Sequence, residues 1–287
     1  KKVFDAAGYQ MVLLEKYGDQ ANFVKAVADV DGLIVRSDLV TKEVLEAAKQ
    51  LKIVVRAGAG YDNIDLEAAT QHGVVVMNTP GQNANAVAEL AFCMMIYFAR
   101  GGFSGKSGTE LRGKKLGLHA YGNVGKRMAA IAKGFGMEVF AFDPYIPAQA
   151  IEQDGVTCLT SVEDLYATCN YVSLHIPATN ETKKSINFAL LSRMPKPAVL
   201  VNTARKEVID EADLLKMFAE RPDFAYLADV APDCLAELEA KFPGRFLFTQ
   251  KKMGAQTEEA NTNAGIAAAK QIVGFFERGD KTFQVNK

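Results

Sequence analysis

Short apolar runs alternate along this chain with stretches in which apolar residues return every third or fourth position. In the first part, YQMVLLEKY (9–17), VDGLIVR (30–36), LKIVVRAG (51–58) and GVVVMNTP (73–80) read as buried strands. Between them ANFVKAVAD, TKEVLEAAKQ and NIDLEAATQHG read as short amphipathic helices. That is the rhythm of a parallel sheet covered by helices. A long helix, NAVAELAFCMMIYFAR, follows and is capped by Gly101 and Gly102. After GGFSGKSGTELRGK a second series begins, with strands expected in KLGLHAYG, EVFAFDP, GVTCL, YVSLHIP, AVLVNTA, FAYLADV and FLFTQ. The last helix, TEEANTNAGIAAAKQIVGFFERG, has no strand after it and is expected to cross back to the first domain. The pattern predicts an α/β protein of two doubly wound domains, the first discontinuous.

Composition narrows the classes open to such a chain. Its 287 residues suffice for two cores, and no apolar run approaches the roughly 18 residues of a membrane span. With 33 Lys and Arg against 34 Asp and Glu, evenly mixed, it carries no electrostatic footprint for nucleic acid or an anionic membrane. Cys93, Cys158, Cys169 and Cys234 lack CxxC spacing and read as reduced, buried thiols of a cytoplasmic protein, with no metal site. The chain opens without methionine in what reads as a helix, so a further strand is expected ahead of residue 1.

Chemistry enters at LHAYGNVGKR (118–127), which follows a strand and opens a helix. It approaches the G-x-G-x-x-G fingerprint of dinucleotide-binding folds, with Ala120 in place of the first glycine. Alanine is expected to fit that turn with a negative φ, while Gly122 lets backbone approach phosphate and Gly125 lets helix meet strand. Asp143 ends the next strand, where a carboxylate accepts both ribose hydroxyls and repels a 2′-phosphate. The cofactor expected from these residues is NAD, held by Tyr121, Gly122, Asn123, Val124, Gly125 and Asp143.

Taken together, GLIVRSD, VVRAGAGYDNIDL, NTPGQNANAVAELAF, GTELRGKKLG, YGNVGKR, AFDPY, VSLHIPATNETK, VNTAR and MGAQTEEA resemble the D-2-hydroxyacid dehydrogenases in order and spacing, from about residue 30 to 265. The resemblance is strongest to the branch acting on D-3-phosphoglycerate. It implies a Rossmann-type NAD domain (82–257) inserted into a flavodoxin-like substrate domain (1–81 and 258–287), and a homodimer formed through the NAD domain. The activity implied is NAD-dependent oxidation of D-3-phosphoglycerate to 3-phosphohydroxypyruvate, a step of L-serine biosynthesis. No C-terminal regulatory module of the kind some relatives carry is expected. By the same resemblance Arg205 is the catalytic arginine, and Arg36, Ser37, Arg56, Ala57, Gly58 and Asn83 hold substrate. His175, Ile176, Pro177, Thr182, Thr203, Ala204 and Asp229 line the cofactor, Asp229 meeting the nicotinamide carboxamide. The residue types suit this chemistry, with cations for phosphate, a planar guanidinium for carboxylate and keto oxygen, and backbone N–H groups for a carboxylate.

The chain departs from the family at the acid/base histidine, where it reads TQKKMGA. Counting back from Gly254 and Ala255 favours Lys252 as the replacement; counting forward from Thr249 gives Lys251. The family's glutamate partner falls on Cys234, with Asp233 beside it as a substitute. Only His72, His119 and His175 exist, and each reads as structural or cofactor-adjacent. A lysine, ordinarily near pKa 10.4, acts as a base near neutrality only when burial or neighbouring cations favour its neutral form. Two other readings stay open. One is another D-2-hydroxyacid dehydrogenase, acting on glycerate, glyoxylate or hydroxypyruvate; the other is a non-enzymatic NAD-sensing interaction protein.

Overall fold

The computed structural model describes residues 1–287, which divide into two compact units, Lys1–Asn83 with Thr257–Lys287, and Ala84–Gln256. In the first, α1 (Lys2–Ala7), α2 (Gln20–Ala26), β1 (Gly32–Val35), α3 (Lys42–Ala47), β2 (Ile53–Arg56), α4 (Leu66–Gln71) and β3 (Val75–Asn78) follow in order. The sheet is parallel, in the order β1-β2-β3. Successive side chains of a strand face opposite sides, so Val54 and Val76 face a core with Val44, Leu45 and Ala69, while Ile53, Val55 and Met77 face another.

One expected strand is absent. Residues 9–17 form no strand, and Val12 and Leu13 are 75% and 68% exposed. With β1 and the last helix, this run lines an apolar cavity of about 1000 Å³. An apolar run becomes a strand only through ladder bonds to a neighbour, and here it has none.

The second unit runs α5 (Ala84–Ala99), β4 (Lys115–His119), α6 (Asn123–Gly134), β5 (Glu138–Phe142), α7 (Ala148–Glu152), β6 (Thr157–Cys158), α8 (Val162–Thr168), β7 (Tyr171–Leu174), α9 (Phe188–Leu191), β8 (Ala198–Asn202), α10 (Glu211–Glu220), β9 (Phe224–Ala228), α11 (Leu235–Lys241) and β10 (Phe246–Phe248). Its seven strands are all parallel, in the order β10-β9-β8-β7-β4-β5-β6. Strand order therefore reverses between β4 and β7, and such a switch point leaves a crevice beyond the strands' C-terminal ends. Strands β7, β8 and β9 are buried on both faces, which explains their uninterrupted apolar sequence.

Three of the four cysteines depart from the expectation of buried thiols, and helix α5 shows why Cys93 does so most. Asn85, Glu89, Cys93 and Tyr97 recur every four residues along its exposed stripe, while Val87, Ala88, Ala91 and Met95 face the core. Cys93 is thus exposed, Cys158 and Cys234 are half-buried, and only Cys169 is fully buried.

The chain then returns to the first unit as α12 (Glu258–Arg278). Gly32 of β1 lacks a side chain where a Cβ would lie 3.4 Å from Ile272 and Phe276, so the helix packs directly on the sheet. The last residues clasp β3: Val285 N–H donates to Val76 O (2.8 Å), and Asn286 Oδ1 accepts from Val76 N–H (2.8 Å). No helix is long and apolar enough to cross a membrane.

Candidate active site

The loop after β4 is held by its neighbour strand. Ala120 N–H donates to Phe142 O at 2.9 Å and Tyr121 N–H to Asp143 Oδ2 at 2.8 Å. These bonds turn the backbone so sharply that Ala120 sits at φ 82°, in the left-handed region, instead of the negative φ expected. Gly125 is required sterically, because a Cβ there would lie 2.6 Å from Ala120 O. Gly122 caps α6 without a side chain, and a Cβ on it would meet nothing within 4 Å. The amides of this helix N-terminus are therefore approachable by a phosphate, toward which the helix dipole also points its positive end.

Tyr121 lies differently from expectation. Its side chain is fully buried and its hydroxyl donates to Asp154 Oδ2 at 3.0 Å, so only its backbone is available to a ligand. Burial, reinforced by Asp154, pushes its phenol well above the ordinary range. Asp143 accepts from Tyr121 N–H and, through Oδ1, from Tyr145 N–H at 2.9 Å, so it also shapes the loop. Thr182 lies in an exposed turn, donating to Pro177 O at 2.5 Å and accepting from Thr179 N–H at 2.8 Å.

At the switch point His119 and His175 are joined through backbone, His175 N–H to His119 O at 2.9 Å. His119 Nδ1 lies 3.3 Å from the buried Tyr166 hydroxyl. Burial pushes His119 down to about 4 and His175, beside it, to about 3. Both are neutral at neutral pH and neither is poised to hold a proton there. Ser173 Oγ, His175 Nε2 and Thr203 Oγ1 are enclosed without a protein partner, at β7 and the end of the adjacent β8. Orphaned polar atoms of this kind, together with the open Gly122 turn and the acidic end of β5, fit a dinucleotide. Ser173 escaped the sequence reading; its only signal there was one hydroxyl in an otherwise apolar strand.

Beyond β8, buried Asn202 folds the next turn. Its Oδ1 accepts from Ala204 N–H (3.0 Å), and its Nδ2 donates to Arg205 O (2.9 Å) and the Tyr226 hydroxyl (3.1 Å). Arg205 Nη1 then donates to Ala204 O at 3.1 Å, and Lys252 Nζ donates to the same oxygen at 3.3 Å. Two residues 47 positions apart thus bring their cationic groups to one carbonyl. Of the two candidate lysines, Lys252 is the one brought to Arg205.

The structure gives Asp233 to another partner. Its carboxylate pairs with Lys206 Nζ at 2.5 Å, and its side chain is 77% exposed. The backbone amides of Asp233 and Cys234 both donate to the Glu211 carboxylate at 2.8 Å, which anchors the segment. Burial, then Glu211, pushes the Cys234 thiol up to about 12, so it stays protonated. Buried Asp229 is engaged by the loop 249–254, accepting from Thr249 Oγ1 (2.9 Å), Met253 N–H (2.7 Å) and Gly254 N–H (2.6 Å).

In the other unit, Arg36 and Ser37 follow β1, and Arg56, Ala57 and Gly58 follow β2. Arg36 N–H donates to Asp38 Oδ2 at 3.3 Å, and Asp38 also accepts from the Tyr17 hydroxyl at 2.7 Å. Gly58 has φ 154°, and a Cβ there would lie 1.4 Å from Arg56 Nη1, so the guanidinium rests where any other residue would put its side chain. Ala57 N–H donates to Val35 O and Gly58 N–H to Arg56 O, both at 2.8 Å. These two amides, expected for a substrate carboxylate, are taken up by strand β1 and by the turn respectively. Asn83 closes this segment, half-buried, one residue before α5.

A family model described as "D-isomer specific 2-hydroxyacid dehydrogenase, NAD binding domain" matches residues 93–241. A D-3-phosphoglycerate dehydrogenase of Methanocaldococcus jannaschii is 35% identical over 263 residues, covering 87% of this chain and 50% of the relative. A hydroxypyruvate reductase of Thermotoga maritima is 34% identical, covering 92% of this chain and 90% of the relative. Among solved structures, the NAD⁺-bound 3-phosphoglycerate dehydrogenase of Entamoeba histolytica superposes with a TM-score of 0.89 at 46% identity, covering 100% of this chain and 92% of that one. The chain spans about half the length of the first curated relatives it matches.

Proposed function

The chain belongs to the D-isomer specific 2-hydroxyacid dehydrogenase family, whose NAD-binding domain it carries over residues 93–241, and from that premise we propose that it oxidises D-3-phosphoglycerate to 3-phosphohydroxypyruvate with NAD. The observation that carries the chemistry is the shared Ala204 carbonyl, on which Arg205 and Lys252 meet. The 46% identity to a phosphoglycerate dehydrogenase over the whole chain supports the substrate.

NAD, when bound, supplies the acceptor for the hydride from C2. This chain's residues do the rest. Backbone at Gly122–Gly125 holds the pyrophosphate, and Asp143 the adenosine ribose. Arg205 orients the substrate carboxylate and the oxygen that becomes the carbonyl. Lys252 takes the C2 hydroxyl proton, a role only the neutral amine performs. Arg36 and Arg56 supply cations for the substrate phosphate. The same reading carries a homodimer through the NAD-binding unit, on which Tyr97 and Phe103 lie exposed in edge-to-face contact.

The hydroxypyruvate reductase relative favours a second reading, an unphosphorylated 2-hydroxy acid as substrate. NADH formation measured with phosphoglycerate beside glycerate separates them. Arg36→Ala is expected to raise KM for phosphoglycerate about tenfold to a hundredfold and leave NAD affinity alone, since a charged hydrogen bond is worth roughly 1.5–3 kcal/mol. An unchanged KM removes the phosphate assignment. No turnover with either acid, despite tight NAD binding, removes the enzymatic reading and leaves a sensor.

A further inference from the structure

The loop that carries Lys252 is irregular and largely open to solvent. Residues 249–256 lie between β10 and α12 outside any helix or strand, and Lys251, Lys252 and Met253 are exposed. One buried carboxylate, at the end of the neighbouring strand β9, grips this loop at three points. Asp229 is 2% exposed, and its Oδ1 accepts from both the Thr249 hydroxyl and Met253 N–H, its Oδ2 from Gly254 N–H. These bonds bracket Lys252 on both sides in sequence. A carboxylate offers about four acceptor positions, so the loop occupies most of them.

Sterics tighten the same clamp. Gly254 is buried, and a Cβ on it would lie 2.9 Å from Asp229 Oδ2 and 3.2 Å from Val87 Cγ2. Only glycine brings its amide this close to the carboxylate. The strand end is fixed in turn, since Asp229 N–H donates to Asn202 O at 2.9 Å, and Asn202 also builds the Ala204–Arg205 turn. One chain of hydrogen bonds therefore runs from the arginine turn through Asn202 and Asp229 to the lysine loop.

We propose that Asp229 is the positioning residue of the lysine loop: it sets Lys252 against Arg205 by holding Thr249, Met253 and Gly254, and its effect on the reaction passes through Lys252. This rests on Lys252 being the acid/base group. It differs from the role the family resemblance implies for Asp229, a contact to the nicotinamide carboxamide, and the two roles move different observables. Loss of a positioning clamp lowers kcat and leaves NAD affinity unchanged. Loss of a carboxamide contact weakens NAD.

The experiment is a double-mutant cycle on Asp229→Asn and Lys252→Met, with kcat for phosphoglycerate oxidation, its pH profile and the NAD dissociation constant measured for each protein. Asparagine keeps the shape of the side chain but turns one acceptor into a donor facing an N–H. Asp229→Asn is expected to lower kcat about tenfold to a hundredfold and to change its pH profile, with NAD affinity within about twofold of the parent. The double variant is expected to be no slower than Lys252→Met alone, because the clamp has nothing left to position. Gly254→Ala, which pushes the loop off an intact Asp229, is expected to reproduce the kcat loss and serves if Asp229→Asn does not fold.

The outcomes separate the two claims. If Lys252→Met turns over like the parent, lysine is not the base and the reading beneath the proposal is lost. If Lys252→Met is slow but Asp229→Asn is not, or the two losses multiply in the double variant, the positioning role is overturned. An Asp229→Asn variant that binds NAD poorly and keeps its kcat overturns it as well.

Discussion

At the scale of single residues, one of the three non-glycine residues in the left-handed region stands where the cofactor loop begins, the others being Phe103 and Lys184. Ala120 is held at φ 82° by bonds from its own amide and the next to the end of β5. An L-residue in that region costs about 1–2 kcal/mol, from which the greater unfolded-chain freedom of glycine subtracts part. Ala120→Gly is therefore expected to raise stability by about 1 kcal/mol, read as a higher urea midpoint at unchanged slope, with NAD affinity kept. A midpoint at or below the parent's would sink the idea that alanine is strained here. The expectation of a negative φ failed because steric preference was the only local information. The bonds that overrule it come from Phe142 and Asp143, more than twenty residues away.

Asp143 acts at the scale of elements, since it joins β5 to the turn between β4 and α6. Its carboxylate accepts two backbone N–H groups, which shapes the loop as well as presenting charge to a ribose. Asp143→Ala is expected to weaken NAD binding about tenfold or more, because a braced loop and a charged hydrogen bond are lost together. NADP is expected to lose less, since removal of the carboxylate also removes repulsion of the 2′-phosphate. Calorimetric titration of both cofactors checks this; an unchanged affinity ratio would show that Asp143 does not discriminate between them. The order of elements was legible in the sequence because parallel strands buried on both faces are written as plain apolar runs, and YVSLHIP, AVLVNTA and FAYLADV all became strands. YQMVLLEKY carries the same signature and did not, because it makes no ladder bonds to a neighbouring strand.

For the molecule as a whole, the buried histidines link stability to pH. His119 and His175, ordinarily near 6.5, are held down to about 4 and about 3 by burial. Above pH 6.5 both are neutral folded and unfolded, and their burial adds no pH dependence. As pH falls below 6.5, the unfolded chain takes up protons that the folded unit refuses, so stability drops down to about pH 4 and below. At about 1.4 kcal/mol per pKa unit, His119 alone accounts for roughly 3 kcal/mol over that window. Urea unfolding at pH 7 and pH 4.5 is expected to show the loss, with a shallower fall in His119→Gln. Equal pH slopes in parent and variant would mean that His119 is not the group responsible.

The sequence by itself determined the alternation of strand and helix, the phosphate loop with its downstream carboxylate, and the motifs that mark the family, because each is written in residues close together along the chain. Tertiary structure alone decided that residues 9–17 stay unpaired, that Asp233 goes to Lys206, and that Lys252 meets Arg205 on one carbonyl. It also decided that Asp229 grips the lysine loop. The physical reason is common to all four. A carboxylate, an amine or a strand edge offers the same bonding capacity wherever it occurs, and which partner satisfies it depends on which distant segment the packing of the sheet brings within about 3 Å.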